Sequence, residues 1–577
     1  MDKYKKSLIP NSDINFVKIL KSNFYIYEEV QDSIGPIAGC GSYLHGGWSK
    51  DYSDEYYEKQ VSLFDLFHNF KGNKCEALEI GTFDGSSGLI MLMASNNVNV
   101  TGVDICENYY PEKSTSILNK YFNNRYKLLK GSSNDMLNTF KLGTQFDFIH
   151  IDANHSYYAV SQDILNCIRF CHQDTLWIFD DLDNWGVSAA LKFHQNKFSL
   201  INIAGTHGIY KLKSEYIIDT NKKLPTIVTA LYDIRAMENN NADIVKNIEM
   251  YLGFGKELLS LEIPMIIYTE EKLVKNIIEL RPKELSNITS IQVIPFIESP
   301  YYKDLDRLKN NFNKYTISNL SVEKDTPLYF LVNNNKFHCI SESIKYNPFG
   351  SSHFIWMDFG ICRNTKNVSD IRRWIYSVPD KIKQMEINPY IESINPREYF
   401  KTIYHNIAGS LFSGSIDNLK KYCELFNLKW NQILNEGWCQ LDEALMTIIS
   451  RENSKLFEHY YGDYPNLISC YDHYFNIPID RGLSIIFAAI NKCLNLRAYD
   501  KCYHILNYLK SFCLYHPQKM SEYLNLYIIC NYYISANKKL DQDIIDAITR
   551  APINLEFIKQ IQPNLKFYSN YKDIIRQ

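Results

Sequence analysis

The chain has 577 residues, 45% of them hydrophobic and 22% charged, with a formal net charge of −3. That length allows roughly three to four domains, the composition is that of an ordinary globular protein, and the charge gives no reason to expect a nucleic-acid polymer as partner. Fourteen cysteines are scattered without a Cys-x-x-Cys pair, and no signal-like segment or run of 18 apolar residues occurs, so a soluble cytoplasmic protein with reduced thiols and no transmembrane segment is expected, in a bacterium or in the host of a large virus.

Residues 1–70 read as a helical lead-in. Ser12 to Val30 mixes helical and irregular signals, and Tyr56 to Phe70 is amphipathic, with Val61, Leu63, Phe64, Leu66 and Phe67 on one side. Between them Gly35 to Trp48 is rich in glycine, and the loop around His45-Gly-Gly-Trp48 is open to a role over a ligand.

Residues 71–215 alternate strands and helices, as a mostly parallel sheet requires. The expected strands are Ala77–Ile80, Val100–Val103, Tyr126–Lys130, Phe146–Ile151, Leu176–Phe179, Phe198–Ile203 and Gly208–Leu212. The first ends in a turn, Glu79-Ile-Gly-Thr-Phe-Asp-Gly-Ser-Ser-Gly88, followed by the apolar helix Leu89–Ala94. Glycines let backbone approach a ligand, and a helix N-terminus offers free N–H groups. Glu79 and Asp84 would repel a pyrophosphate and suit a ligand carrying positive charge, such as S-adenosylmethionine. Val100-Thr-Gly-Val-Asp104 ends in an acid placed to accept from ribose hydroxyls. The third strand ends in Lys130-Gly-Ser-Ser133, near where an adenine would lie. The candidate cofactor set is therefore Glu79, Gly81, Thr82, Asp84, Gly85, Ser87, Asp104, Ser132 and Ser133.

Two further strands end in acids, Phe146–Asp152 continuing to His155-Ser-Tyr157, and Leu176–Asp180-Asp181. Carboxylates grouped at neighbouring strand ends repel one another unless a cation lies among them. Asp152, Asp180 and Asp181 are the candidate ligands of Mg²⁺, which prefers carboxylate oxygens, and His155 is the candidate base for a metal-bound hydroxyl. Structural roles stand beside these: Asp181 as a helix cap and His155 as a partner of backbone.

On these residues the segment resembles class I S-adenosylmethionine-dependent methyltransferases. The Asp-x-x-His-Ser-Tyr stretch and the later Asp-Asp resemble the metal-dependent sugar O-methyltransferases and the related cephalosporin-hydroxylase group. The resemblance implies Mg²⁺ held by Asp152, Asp180 and Asp181, with His155 as base. Asp180 departs from relatives that carry Glu there.

After the polar link Ser214–Leu224, residues 222–475 read as a second α/β domain. Thr226–Arg235 is a strand and polar turn; Ile263–Thr269 and Ser290–Pro295 are further strands, with helix between Glu262 and Arg281. A long helix begins at Pro327 and carries Lys336, a candidate cofactor-binding residue. The apolar strand His353-Phe-Ile-Trp-Met-Asp358 delivers one carboxylate beside Gly360. A GT-A-type glycosyltransferase needs such an acid to grip Mn²⁺ or Mg²⁺ against the diphosphate of a nucleotide sugar. The usual pair is Asp-x-Asp; here Asp358 stands alone, and a buried strand ending in a turn Asp would read the same. Ile407–Gly414 is a small-residue strand and turn. Asp442 and Glu443 open a helix as candidate catalytic acids, and His459 is a candidate to complete the metal shell.

These pieces resemble the WlaTC/HtrL (YibB) family of cell-surface polysaccharide proteins, matched by Thr226–Arg235, Pro327–Phe337, Asn347–Ile361, Ile407–Gly409 and Tyr460–Tyr464. That resemblance implies glycosyl transfer and leaves donor sugar and stereochemistry open. Residues 476–577 are apolar at helical spacing, without a clean repeat, and read as a helical tail.

The fold expected is α/β: a Rossmann-like methyltransferase domain, a GT-A-like domain and an α-helical C-terminal region. The function expected is O-methylation of a sugar hydroxyl together with glycosyl transfer from a nucleotide-sugar donor to a sugar or glycan acceptor. The alternative is a methyltransferase for a small molecule or phenol, joined to a non-catalytic glycan-binding module.

Overall fold

Six residues before the glycine turn, four of them apolar or small, form the central strand of the first sheet. Cys75–Ile80 (β1) pairs in parallel with Val98–Asp104 (β2) on one side and Phe146–Ile151 (β4) on the other. In this computed structural model residues 13–35, 43–44, 56–238, 247–314, 317–318, 320–321, 324–365, 367–389, 395, 397–403, 405–472, 481–515, 519–534 and 540–548 are described. The loop His45–Trp48 lies outside them. The chain divides into two units at Thr220/Asn221.

In the first unit, Tyr126–Lys130 (β3), Cys171–Phe179 (β5), Phe198–Ala204 (β6) and His207–Leu212 (β7) complete a sheet of order β3-β2-β1-β4-β5-β7-β6. β1 to β5 are parallel, and β7 runs antiparallel to β5 and β6. Strand order reverses between β1 and β4, where adjacent connections leave to opposite faces and open a crevice. The lead-in belongs to this unit. Asp13–Ile34 is one continuous helix, and its Phe16, Leu20 and Tyr27 share a core with Phe64 and Phe67 of the helix Tyr57–His68 and with Leu89 and Met91. The apolar spacing there is helical throughout, so packing overrides the local irregularity expected from the sequence.

The second unit is built on a mixed sheet of order β10-β9-β8-β11-β13-β12-β14. Its strands are Thr226–Leu231 (β8), Met265–Thr269 (β9), Thr289–Val293 (β10), His353–Met357 (β11), Ile382–Glu386 (β12), Ile407–Ser415 (β13) and Phe457–Tyr461 (β14). β13 alone runs antiparallel to its neighbours. The single helix expected from Pro327 is two, Pro327–Asn334 and Lys336–Tyr346, divided at Asn335, whose side chain accepts from Ser299 Oγ at 2.5 Å.

The C-terminal helices pack on this unit. In Tyr499–Cys513, Tyr508 donates to the carbonyls of Tyr461 (3.2 Å) and Cys470 (2.8 Å), and Lys501 reaches buried Glu386 on β12 at 2.5 Å. The thirteen cysteines among the described residues are free thiols. No helix among the described residues is long and apolar enough to cross a membrane.

Candidate active sites

The glycine turn after β1 is shaped by close approach. Gly81 has φ +95°, and a Cβ there would lie 2.1 Å from the Asp152 carbonyl oxygen, so only glycine lets the ends of β1 and β4 meet. Gly85, φ +75°, precedes the helix Ser86–Ala94. Asp104, at the end of β2, folds onto the turn. One of its oxygens accepts from the amides of Thr82 (2.9 Å) and Phe83 (3.1 Å), the other from Cys106 N–H (2.7 Å). Asp84 accepts from Ser86 N–H at 3.0 Å.

Glu79 and Ser87 are placed differently from the rest of the set. Glu79 is fully buried; Ser87 donates to it at 2.5 Å, Tyr126 donates to its other oxygen, and His150 lies 3.3 Å away. These groups satisfy one another within the fold and brace the turn. The hydroxyls of Ser132 and Ser133 are likewise engaged. Ser132 caps its helix and donates to Asp135 (2.7 Å), and Ser133 donates to Asp163 (2.6 Å). The β3 turn therefore faces its surroundings with backbone rather than with these side chains.

Beyond β4 and β5, Asp152, His155 and Asp181 come together. Nε2 of His155 lies 3.5 Å from Asp152 Oδ1 and 3.6 Å from Asp181 Oδ2, and one ligand atom from each residue lies within 4.8 Å of the others. Asp181 adopts φ +51°, a left-handed conformation uncommon for a residue other than glycine. Burial, and then the charge of Asp180, push Asp152 up to about 7; the hydrogen bond to Asp152 raises His155.

Asp180 does not join them, which corrects the ligand set expected from the sequence. It is buried, and its Oδ2 is 2.8 Å from Lys59 Nζ. Burial opposes its charge, but His207 and Lys59 outweigh that and hold it well below the usual range. The ammonium lies over the rings of Tyr43 (4.3 Å) and Tyr56 (4.7 Å). Lys59 comes from a helix more than a hundred residues away, beyond the reach of strand-end reasoning. Asp152 and Asp181 still fit Mg²⁺: both are partly exposed, so waters could complete an oxygen shell. His155 beside them fits a proton acceptor.

In the second unit a cavity of about 370 Å³ opens at the carboxyl ends of β8 and β11, where strand order again reverses. Asp358, Lys336, Asp442, Glu443, His405 and Tyr464 all line it. Asp358 accepts from Trp356 Nε1 at 2.7 Å, and Lys336 Nζ is 3.4 Å from the same oxygen. Lys336 is buried, 2.7 Å from Asp442 and 2.8 Å from the carbonyl of Gly409. Gly409 leaves the room: a Cβ there would lie 2.3 Å from Asp442 Oδ2. Burial pushes Asp442 up to about 6 against the pull of Lys336. Glu443 is held by three donors: His405 Nδ1 at 2.7 Å, Gly409 N–H at 3.2 Å and the Tyr464 hydroxyl. Burial opposes its charge, yet His405 and those hydrogen bonds hold it below the usual range.

His459 lies outside this cluster. It sits within β14, its Nε2 3.2 Å from Gln384 Nε2 and its Nδ1 4.0 Å from Glu386, and burial pushes it down to about 4. A mid-strand position puts the side chain on a face of the sheet, beside its register partner Gln384 on β12, rather than in a strand-end cavity. The residues around Asp358 do not fit Mn²⁺ or Mg²⁺. Among the described residues no three acidic or imidazole ligand atoms converge there, and Lys336 already supplies the cation between Asp358 and Asp442. His405, which no sequence pattern marks, is a cavity residue that sequence reasoning missed.

The first unit thus has the strand order, glycine turn and acid-ended strands of a Rossmann-like methyltransferase fold, and the second is a mixed α/β domain with a polar cavity at its switch point. Residues 78–182 match the family model described as a methyltransferase domain. Residues 223–473 match that described as a bacterial protein of unknown function, HtrL_YibB. Two family models thus match the chain in succession, the methyltransferase domain first and HtrL_YibB second. Protein HtrL of Escherichia coli is 21% identical over 266 residues, 43% of this chain and 93% of that protein. Among solved structures, the S-adenosylhomocysteine-bound Podospora anserina methyltransferase PaMTH1 is 15% identical, with 36% of this chain and all of that chain covered and a TM-score of 0.27. The Bacillus cereus O-methyltransferase with S-adenosylhomocysteine is 18% identical over 36% of this chain and 93% of that one, at a TM-score of 0.25.

Proposed function

We propose that the protein is a bifunctional glycan-modifying enzyme. Its first unit transfers a methyl group from S-adenosylmethionine to a sugar hydroxyl. Its second transfers a sugar from a nucleotide-sugar donor to a sugar or glycan acceptor. The observation that carries this reading is shared by both sheets: each gathers acids beyond the carboxyl ends of its central strands, at the point where strand order reverses.

In the first unit the backbone of the β1 turn, Thr82 and Phe83 with Asp104, would cradle the cofactor's ribose and amino-acid portions. S-adenosylmethionine supplies the electrophilic methyl group. Asp152 and Asp181 would hold Mg²⁺, whose charge favours an ionised acceptor hydroxyl. The imidazole of His155, beside these two carboxylates, would accept that hydroxyl's proton. Alignment of oxygen, methyl carbon and sulfur then supplies much of the rate.

In the second unit the positive charge comes from side chains. Lys324 and Arg363 line the cavity with Lys336 and place positive charge where a departing diphosphate would collect negative charge. Methyl transfer to free sugars, sugar nucleotides and catechols, with and without chelator, tests the first activity. Methylation of sugars that stops in chelator is expected; methylation of catechols alone would assign the phenolic acceptor instead. Asp358 is tied by Trp356 and Lys336, which favours a second reading for the second unit, glycan binding without turnover. Nucleotide-sugar turnover lost in Asp358→Ala supports catalysis, and turnover absent from the native chain supports binding alone.

A further inference from the structure

Resting on the nucleotide-sugar reading of the second cavity, we propose that His405 is the general base that deprotonates the acceptor hydroxyl, with Glu443 as its positioning residue, and that transfer therefore inverts the anomeric carbon.

Glu443 is a carboxylate held by three donors, and a carboxylate only accepts hydrogen bonds. His405 Nδ1, 2.7 Å away, must therefore carry the proton of that contact. In the neutral ring this leaves the lone pair on Nε2. His405 lines the cavity, and its side chain is 48% exposed, whereas that of Glu443 is 11% exposed. The imidazole is thus the member of the pair that a bound hydroxyl can meet, and the carboxylate fixes its tautomer and stabilises its cation. Tyr464, whose hydroxyl donates to Glu443, and Gly409 keep the carboxylate in place.

The step balances without another reactant. The acceptor O–H gives its proton to His405 Nε2. The oxygen forms a bond to the anomeric carbon as the bond from that carbon to the diphosphate oxygen breaks, and the electron pair leaves with the nucleoside diphosphate. One displacement from the face opposite the leaving group inverts the configuration.

The charged groups facing His405 are Glu443 and Asp325, which favour its cation, and Lys324, which opposes it; Tyr464 lies 3.4 Å from Nδ1. The test uses the full chain with UDP-, GDP- and dTDP-sugars and water as acceptor. Binding of the matching nucleoside diphosphate is measured by calorimetry, turnover is followed from pH 5.5 to 9, and NMR reads the first anomer released. His405→Gln is expected to lower kcat about 10²- to 10⁴-fold, to leave nucleoside-diphosphate affinity unchanged, and to abolish the acidic limb of the pH profile. Glu443→Gln is expected to move that limb to lower pH, because the imidazolium loses its anionic partner. The released sugar is expected with inverted configuration. Native turnover that survives His405→Gln with its acidic limb intact, or a retained configuration, overturns the inference and leaves the nucleotide-sugar reading standing. A native chain that neither binds nor hydrolyses any of these sugars overturns both.

Discussion

The ammonium of Lys336 lies 2.7 Å from the carboxylate of Asp442, both groups shut away from bulk water. Removing one partner of a buried pair strands the other's charge, at a cost of about 3–5 kcal/mol. Lys336→Met is expected to destabilise the second unit by that amount in urea unfolding. Asp442→Asn in the same background should recover part of the loss, because the stranded acid is then gone. Full additivity of the two changes would show that the pair is not coupled.

Gly409 is the backbone counterpart of that pair. A methyl group there would meet Asp442 Oδ2 at 2.3 Å, and forcing an atom into such a place costs about 1–3 kcal/mol. Gly409→Ala is expected to lower stability by this amount and to reduce nucleotide-sugar turnover. The expectation fails if melting temperature and turnover both stay at the native values.

Asp163 makes the first unit sensitive to pH. It is buried, and burial pushes its carboxyl up to about 7 against the pull of Ser133. The folded value lies above the ordinary 3.8, so the folded state holds the proton more tightly. The stability this gives is complete below about pH 4 and is lost as pH rises through 7, with up to about 4 kcal/mol at stake. Asp163→Asn is expected to flatten that slope, with its advantage over the native chain larger at pH 8 than at pH 5. Equal slopes in urea titrations would contradict it.

Much of the first sheet could be read in the chain because its strands are short apolar runs closed by glycine or an acid: β1, β2 and β4 end in Ile80, Asp104 and Ile151, each followed by a turn. Asp358 was legible for the same reason. What could not be read depends on distance along the chain. Lys59 takes Asp180 out of the acidic cluster from 121 residues away, and Glu443 acquires His405 from 38 residues away. His459 misleads because strand alternation, not residue type, decides which way it points. The two serines after β3 look available in sequence, yet helix capping and Asp163 engage them.

The helical C-terminal region is expected to be needed for the second sheet. Lys501 is 2.5 Å from Glu386, which is fully buried on β12. Lys501→Met takes the ammonium away from that buried carboxylate and is expected to cost about 3 kcal/mol or more. A native-like urea midpoint in this variant would show that the region only rests on the sheet.

The central claim, that one chain holds two separate ligand sites, is tested most directly by thermal shift. The full chain is titrated with S-adenosylhomocysteine and with UDP, GDP and dTDP sugars, alone and together, alongside Asp104→Ala and Asp358→Ala. A ligand that binds only the folded state raises the melting temperature by mass action, about 2.7 kcal/mol at a hundredfold excess over Kd. The expected result is a shift from S-adenosylhomocysteine that is weakened only in Asp104→Ala, and a shift from one class of nucleotide sugar that is weakened only in Asp358→Ala. A chain that responds to S-adenosylhomocysteine and to no nucleotide sugar would contradict the claim, leaving a methyltransferase joined to a domain with another role.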